Sequence, residues 1–180
     1  MKKILIITGV VVLILCGVIA YFRFYVKSFS PENSEHYAAE GVDIRVTYSR
    51  PFKKGRVIFG GLVPYAAVWR TGANEATVFA TNTDLKFSTG VLKAGTYSLW
   101  TIPDRESWKV IFNSESGQWG INFNGEANRD PKNDVLTVEV PVVNQDKEFE
   151  QFTISIEKHG EEMEMIFLWD KTLVAVPFSK

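Results

Sequence analysis

The residues best suited to chemistry crowd around one glycine turn, Trp69-Arg70-Thr71-Gly72-Ala73-Asn74-Glu75. A guanidinium offers planar, bidentate contacts to a carboxylate or phosphate. An amide both donates and accepts, and a carboxylate accepts or serves as a base. Arg70 and Glu75 flank Gly72, so the turn can bring their side chains together. Tyr65 and Trp69 add aromatic faces, which with a few convergent polar groups are what small-molecule and sugar sites require. Just upstream, Tyr48-Ser49-Arg50-Pro51 and Lys53-Lys54-Gly55-Arg56 concentrate positive charge, which favours an anionic ligand or partner there. The candidate ligand-binding residues are therefore Tyr48, Arg50, Arg56, Tyr65, Trp69, Arg70, Asn74 and Glu75. The competing structural reading pairs Arg70 with Glu75, or has them cap backbone in an irregular crossover.

No complete catalytic set accompanies them. The chain has no G-x-S-x-G elbow, no Walker loop and no H-E-x-x-H. A serine triad would draw its base from His36 or His159, one in a polar stretch and one in a turn. Ser155-Ile156-Glu157-Lys158 has the letters of a serine–lysine motif, but in a strand its first and fourth residues face opposite sides. Glu126, Asp130 and Asp134 lie in a polar loop without calcium-loop spacing, and that loop is expected to be a solvated hairpin turn. One cysteine and two histidines cannot build an ordinary zinc site or an internal disulfide. Neither metal nor cofactor is expected, and no catalytic residue is assigned.

The elements that must position the turn divide the chain sharply. From Ile4 to Phe22 run nineteen residues without a charge, preceded by Lys2 and Lys3 and followed by Arg23 and Lys27. As a helix the run is about 28 Å long, close to the roughly 30 Å of a bilayer's hydrocarbon. Tyr21, Phe22, Phe24 and Tyr25 cluster at its end, where aromatic rings favour the membrane interface. Residues 1–27 read as a single-pass anchor with a cytoplasmic N-terminus and the domain outside the cytoplasmic membrane. Cleavage after Val18-Ile19-Ala20 as a signal peptide is the rival, giving a secreted or periplasmic domain. Cys16 lies inside this run, so thiol chemistry is excluded.

The anchor also hides the domain's charge. The chain carries 20 Lys+Arg and 21 Asp+Glu, but its first 30 residues hold four bases and no acid. The remainder has 16 bases against 21 acids, a net −5 that gives no nucleic-acid footprint. Residues 28–41 read as a polar tether, with His36 a solvated linker residue. From residue 42 the hydrophobic period is two: VDIRVTY (42–48), ATVFAT (76–81), DLKFS (84–88), GTYSLWTIP (95–103), SWKVIFN (107–113), DVLTVEV (134–140), QFTISIE (151–157), MEMIFLWD (163–170) and TLVAVPF (172–178). Short strands at such spacing predict an all-β fold, a single antiparallel β-sandwich over residues 42–180 with a barrel as the alternative.

VTYSRPFKKGRVIFGGLVPYAAVWRTGANEATVF, followed by KAGTYSLWTIP, WKVIFN, GQWG and LWDKTLVAVP, resembles a bacterial family of domains of unknown function, number 2911. The likeness runs from about Val42 to Phe178. It implies an exported β-rich domain and supplies no activity, substrate or catalytic residue. Members usually begin with a cleavable signal, from which this longer, charge-flanked run departs. Ala66-Ala67 stands where a glycine and a polar residue often follow the Pro-Tyr pair.

Two functions of different class are compatible with these residues. The first is a tethered binding or interaction module for a small molecule, glycan or envelope protein. The second is a hydrolase with Glu75 as general base and Arg70 or Asn74 holding developing negative charge. A purely structural envelope role is a third. The absence of a complete catalytic set favours the binding module.

Overall fold

A computed structural model describes residues 2–180, with the side chains of Leu5, Phe22, Arg23 and Val26 outside the description. The expected parts of Phe22 in the aromatic belt and of Arg23 in the basic flank therefore lie outside the described residues. The apolar run forms helix α1 (Lys2–Ser28), about 40 Å long at ~1.5 Å per residue. Its Lys2–Tyr21 stretch is long and apolar enough to cross a membrane, and none of its described side chains is buried against the domain. Cys16 sits exposed on this helix.

The strands that follow pair antiparallel. Among the described residues they number nine: β1 (Glu32–Ala39), β2 (Val42–Ser49), β3 (Thr77–Thr81), β4 (Leu85–Phe87), β5 (Gly90–Leu92), β6 (Gly95–Pro103), β7 (Ser107–Asn113), β8 (Asp134–His159) and β9 (Glu162–Ser179). They form one open sheet in the order β1-β2-β3-β6-β7-β8-β9-β4-β5. Alternation decides which way each strand faces: Val42, Ile44, Val46 and Tyr48 of β2 are buried while Asp43 and Arg45 are exposed.

A two-layer core arises because β8 and β9 are long and bent. Four predicted strands fuse into these two, and β8 serves β7 with residues 134–141 and β9 with residues 142–159. Register shifts between Asn144 and Phe149, and between Phe149 and Thr153, mark the irregular stretch where a strand can turn. Phe152, Ile154, Met165, Phe167 and Trp169 thereby share one core with Ile44, Val46, Phe79, Leu99, Val110 and Phe112. The fold is all-β, as the alternation predicts, but the packed layers belong to one continuous sheet folded across itself. A smaller core of Ala76, Trp100 and Ile111 lies apart from it, against Val68, Ile102 and Ala127.

The expected tether is a correction. Of residues 28–41, Glu32–Ala39 are strand β1, paired with β2 from Glu32↔Ser49 to Ala39↔Val42. As an edge strand β1 needs little apolar surface, so its sequence reads as polar although its backbone is paired. His36 lies in this strand, with Nε2 3.1 Å from Asp43 Oδ1, rather than in a linker. Only Phe29, Ser30 and Pro31 separate α1 from the sheet.

Candidate functional site

Residues 50–76 form the crossover from β2 to β3 and carry the turn. Where β3 runs out at Thr77, Trp69 takes up the next position beside β6. Its N–H donates to Thr101 O at 2.7 Å and its carbonyl accepts from Thr101 N at 2.9 Å. The chain then passes through two positive-φ residues that are not glycine, Thr71 (φ 55°) and Asn74 (φ 58°). A β-branched residue there is uncommon, and such backbone costs on the order of 1–3 kcal/mol. Buried side-chain bonds hold the turn in place. Thr77 Oγ1 donates to Thr71 O at 2.7 Å, Thr71 Oγ1 meets Thr101 Oγ1 at 3.2 Å, and Trp69 Nε1 donates to Gly72 O at 2.9 Å. The Trp69 ring lies among Phe59, Trp108, Phe152 and Trp169.

This turn forms one wall of a cavity of about 430 Å³, within the range of small-ligand sites. Trp69, Trp169, Phe29, Leu62, Val63 and Ile121 give it apolar surface, and Lys54, Arg56 and Arg70 give it charge. Among the described residues no aspartate or glutamate lines it. Three lining cations and, among the described residues, no lining carboxylate make this a local inversion of charge in a domain of net −5.

Arg70 is the most informative of the three. Its Nε is buried without a hydrogen-bond partner. Burial pulls its guanidinium below the ordinary pKa, with no neighbouring carboxylate to oppose the shift. The side chain lies against Gly120, whose φ is +97° and where an added Cβ would stand 2.5 Å from Arg70 Cδ. That glycine is thus required twice, by backbone conformation and by the side chain lying on it. Arg56 has a dual position: it lines the cavity, while its guanidinium donates to the carbonyls of Phe52 and Lys53.

The other predicted residues go elsewhere. Asn74 is buried, and its Nδ2 donates to Ser30 O at 3.2 Å and Ser49 Oγ at 3.3 Å. Glu75 Oε1 lies 2.7 Å from Lys27 Nζ, near the end of α1. The convergence of Arg70 with Glu75 expected across Gly72 is therefore not how the turn is used: Arg70 lines the cavity and Glu75 meets the helix. Tyr65 lies under the Arg105 guanidinium, 4.9 Å from ring centroid to Cζ, in a separate small depression. Tyr48 and Arg50 bind backbone of β8, as do neighbouring main-chain groups. Tyr48 Oη meets both Ile154 N and O, Arg50 Nε donates to Phe152 O at 3.1 Å, and Arg50 Nη2 donates to Thr153 Oγ1 at 2.8 Å. Phe152 N also donates to Pro51 O at 3.0 Å.

Of the eight predicted residues, then, Arg56, Trp69 and Arg70 line one cavity. Phe29, Gly120, Ile121 and Trp169 also line it and were not singled out for a site. They come from three distant segments, which no local spacing joins. His159 lies at the exposed β8–β9 turn as expected, and no metal-holding cluster occurs among the described residues.

Residues 30–178 match a family described as "Protein of unknown function (DUF2911)". The matched region includes β1, in keeping with its place in the sheet. No curated protein and no solved structure matches.

Proposed function

The chain belongs to the DUF2911 family, and on that footing we propose a membrane-anchored, extracytoplasmic binding module whose cavity takes a small anion with an apolar body. One observation carries this reading: Arg70 presents a half-buried cation without a carboxylate partner to a cavity that holds two more cations and no acid. Leaving a charged donor buried and unpaired costs on the order of 1–3 kcal/mol or more. A carboxylate, phosphate or sulfate group in the cavity offsets the charge's lost solvation through charge-assisted hydrogen bonds to the guanidinium. The tryptophan and aliphatic walls then suit an aromatic or alkyl body on the same ligand.

Hydrolysis by Glu75 has less support, because Glu75 meets Lys27 instead of sharing the cavity with Arg70. The anchor rests on the length, apolar character and exposure of α1, and the outside placement on Lys2 and Lys3 preceding it.

Thermal unfolding of the detergent-solubilised full chain tests the ligand class. Phenyl phosphate, benzoate and indole acetate are compared with benzyl alcohol and indole ethanol. At a hundredfold excess over Kd, linkage gives about 2.7 kcal/mol, a rise of roughly 5–10 °C for a domain of this size. The anions are expected to raise Tm while the alcohols do not. Equal shifts from both sets would overturn the anionic assignment.

A further inference from the structure

We propose that the end of the domain carrying the cavity docks on the anionic headgroups of the bilayer that α1 enters, so that the cavity opens toward lipid. This rests on the anchored reading above and adds a partner for the surface around the cavity.

Distance comes first. Phe29, Ser30 and Pro31 are the whole connection between α1 and β1, at most about 11 Å when extended. The connection is also fastened. Lys27 Nζ lies 2.7 Å from Glu75 Oε1, Ser30 O accepts from Asn74, Pro31 O accepts from Arg50 N at 2.9 Å, and Lys54 Nζ sits 4.8 Å over the Phe29 ring. If the apolar run ends near residue 22, the last six residues of α1 rise about 9 Å at ~1.5 Å per residue. That is close to the thickness of one headgroup layer, which is on the order of 5–8 Å. The near end of the domain is therefore held at the lipid surface with no slack to leave it.

Surface chemistry agrees with that position. The two loops that rim the cavity project apolar side chains into solvent: Val57 is 71 % exposed and Leu62 46 % on one, Phe123 fully exposed and Trp119 38 % on the other. Leu62 and Ile121 line the cavity, and Ile121 shares a neighbouring depression with Trp119 and Phe123, so the two loops face one region. Lys54 and Arg56, which line the same cavity, are exposed. Apolar tips interspersed with cations suit a headgroup layer of anionic lipid, whereas the domain's overall charge of −5 is repelled by one. The opposite end is built differently. The turn around Gly160 is polar, with Lys158 Nζ 2.6 Å from Glu40 Oε2, a full β1 length from α1.

Site-directed spin labelling of the full chain in vesicles tests the proposal. In a Cys16→Ser background, Phe123→Cys and Val57→Cys carry labels at the near end and Glu161→Cys at the far end. Vesicles are phosphatidylcholine alone or mixed with phosphatidylglycerol. In the mixed vesicles, the ratio of oxygen to aqueous nickel-complex accessibility is expected to be several-fold higher at positions 57 and 123 than at 161. Lys54→Glu with Arg56→Glu is expected to lower it. Equal ratios at all three positions in chain that resists carbonate extraction would overturn docking while leaving the anchor standing. Release of the chain by carbonate would overturn the anchor, and docking with it. A near-end ratio that is high but independent of phosphatidylglycerol and of the double substitution would overturn the anionic-headgroup assignment.

Discussion

The Tyr48 hydroxyl takes the place of a β-strand neighbour for Ile154. It accepts the Ile154 N–H at 2.8 Å and donates to the Ile154 carbonyl at 3.1 Å, while Asn33 Nδ2 donates to it at 3.3 Å. All its hydrogen-bonding capacity is thereby used. With Arg50 and the Phe52↔Gln151 bridge, it closes β2 against the free edge of β8, although the sheet order remains open. The Tyr-Ser-Arg-Pro stretch is a latch between layers.

Tyr48→Phe keeps the ring against Phe152 but leaves a buried N–H and carbonyl of Ile154 unpaired. Urea unfolding should show a loss of about 2–3 kcal/mol. A loss within about 0.5 kcal/mol of zero, the range of ordinary surface substitutions, would remove the latch from the account.

The same residue sets an alkaline limit. Burial raises the Tyr48 pKa above its ordinary 10.0 in the folded chain. Its contribution is therefore complete below the unfolded tyrosine's pKa and is lost as pH rises from there through the folded value. Unfolding curves above pH ~10 should fall more steeply for the wild type than for Tyr48→Phe. Parallel curves would contradict the shift.

How much of this was legible in the residues differs by element. Period-two alternation identifies β2 nearly to the residue, because one face lies in the core and the other in solvent. β6 and β7 are legible instead as runs rich in aromatic and β-branched residues, since both of their faces are buried: Leu99, Val110 and Phe112 in the main core, Trp100 and Ile111 in the smaller one. It splits β8 and β9 into pieces, since side-chain pattern breaks at a bend while backbone pairing continues. It passes over β1, whose stability comes from pairing with β2 and not from a buried face. At the site, the turn and Arg70 stand out by composition. The partners of Asn74 and Glu75 could not be read, because Ser30 and Lys27 belong to the segment expected to be anchor and tether.

Gly120→Ala should disturb Arg70 without touching any charge. Its Cβ would meet Arg70 Cδ at 2.5 Å in a positive-φ backbone. Destabilisation of about 1–3 kcal/mol is expected, with the anion-induced rise in Tm reduced or lost. Full retention of that rise would show that Arg70 does not need its present position.

Glu75→Gln and Asn74→Ala separate the helix junction from the cavity. Glu75→Gln should leave the anion-induced shift at its wild-type size, since its partner is Lys27. Asn74→Ala loses two hydrogen bonds and places alanine at φ 58°, for a cost of about 2–3 kcal/mol in urea unfolding. Loss of anion binding in Glu75→Gln would return Glu75 to the site and revive general-base chemistry there.

The most direct measurement is calorimetric titration of phenyl phosphate into the full chain, its Arg70→Lys variant and its Arg70→Met variant. Burial lowers the Arg70 pKa, but a guanidinium stays cationic through the neutral range, so wild-type binding should be present at neutral pH. Lysine keeps the charge but loses the planar fork, and should bind more weakly; methionine keeps only the stem and should give no heat of binding. Titration of Arg70→Met with the wild-type affinity would contradict the assignment of this cavity as an anion site.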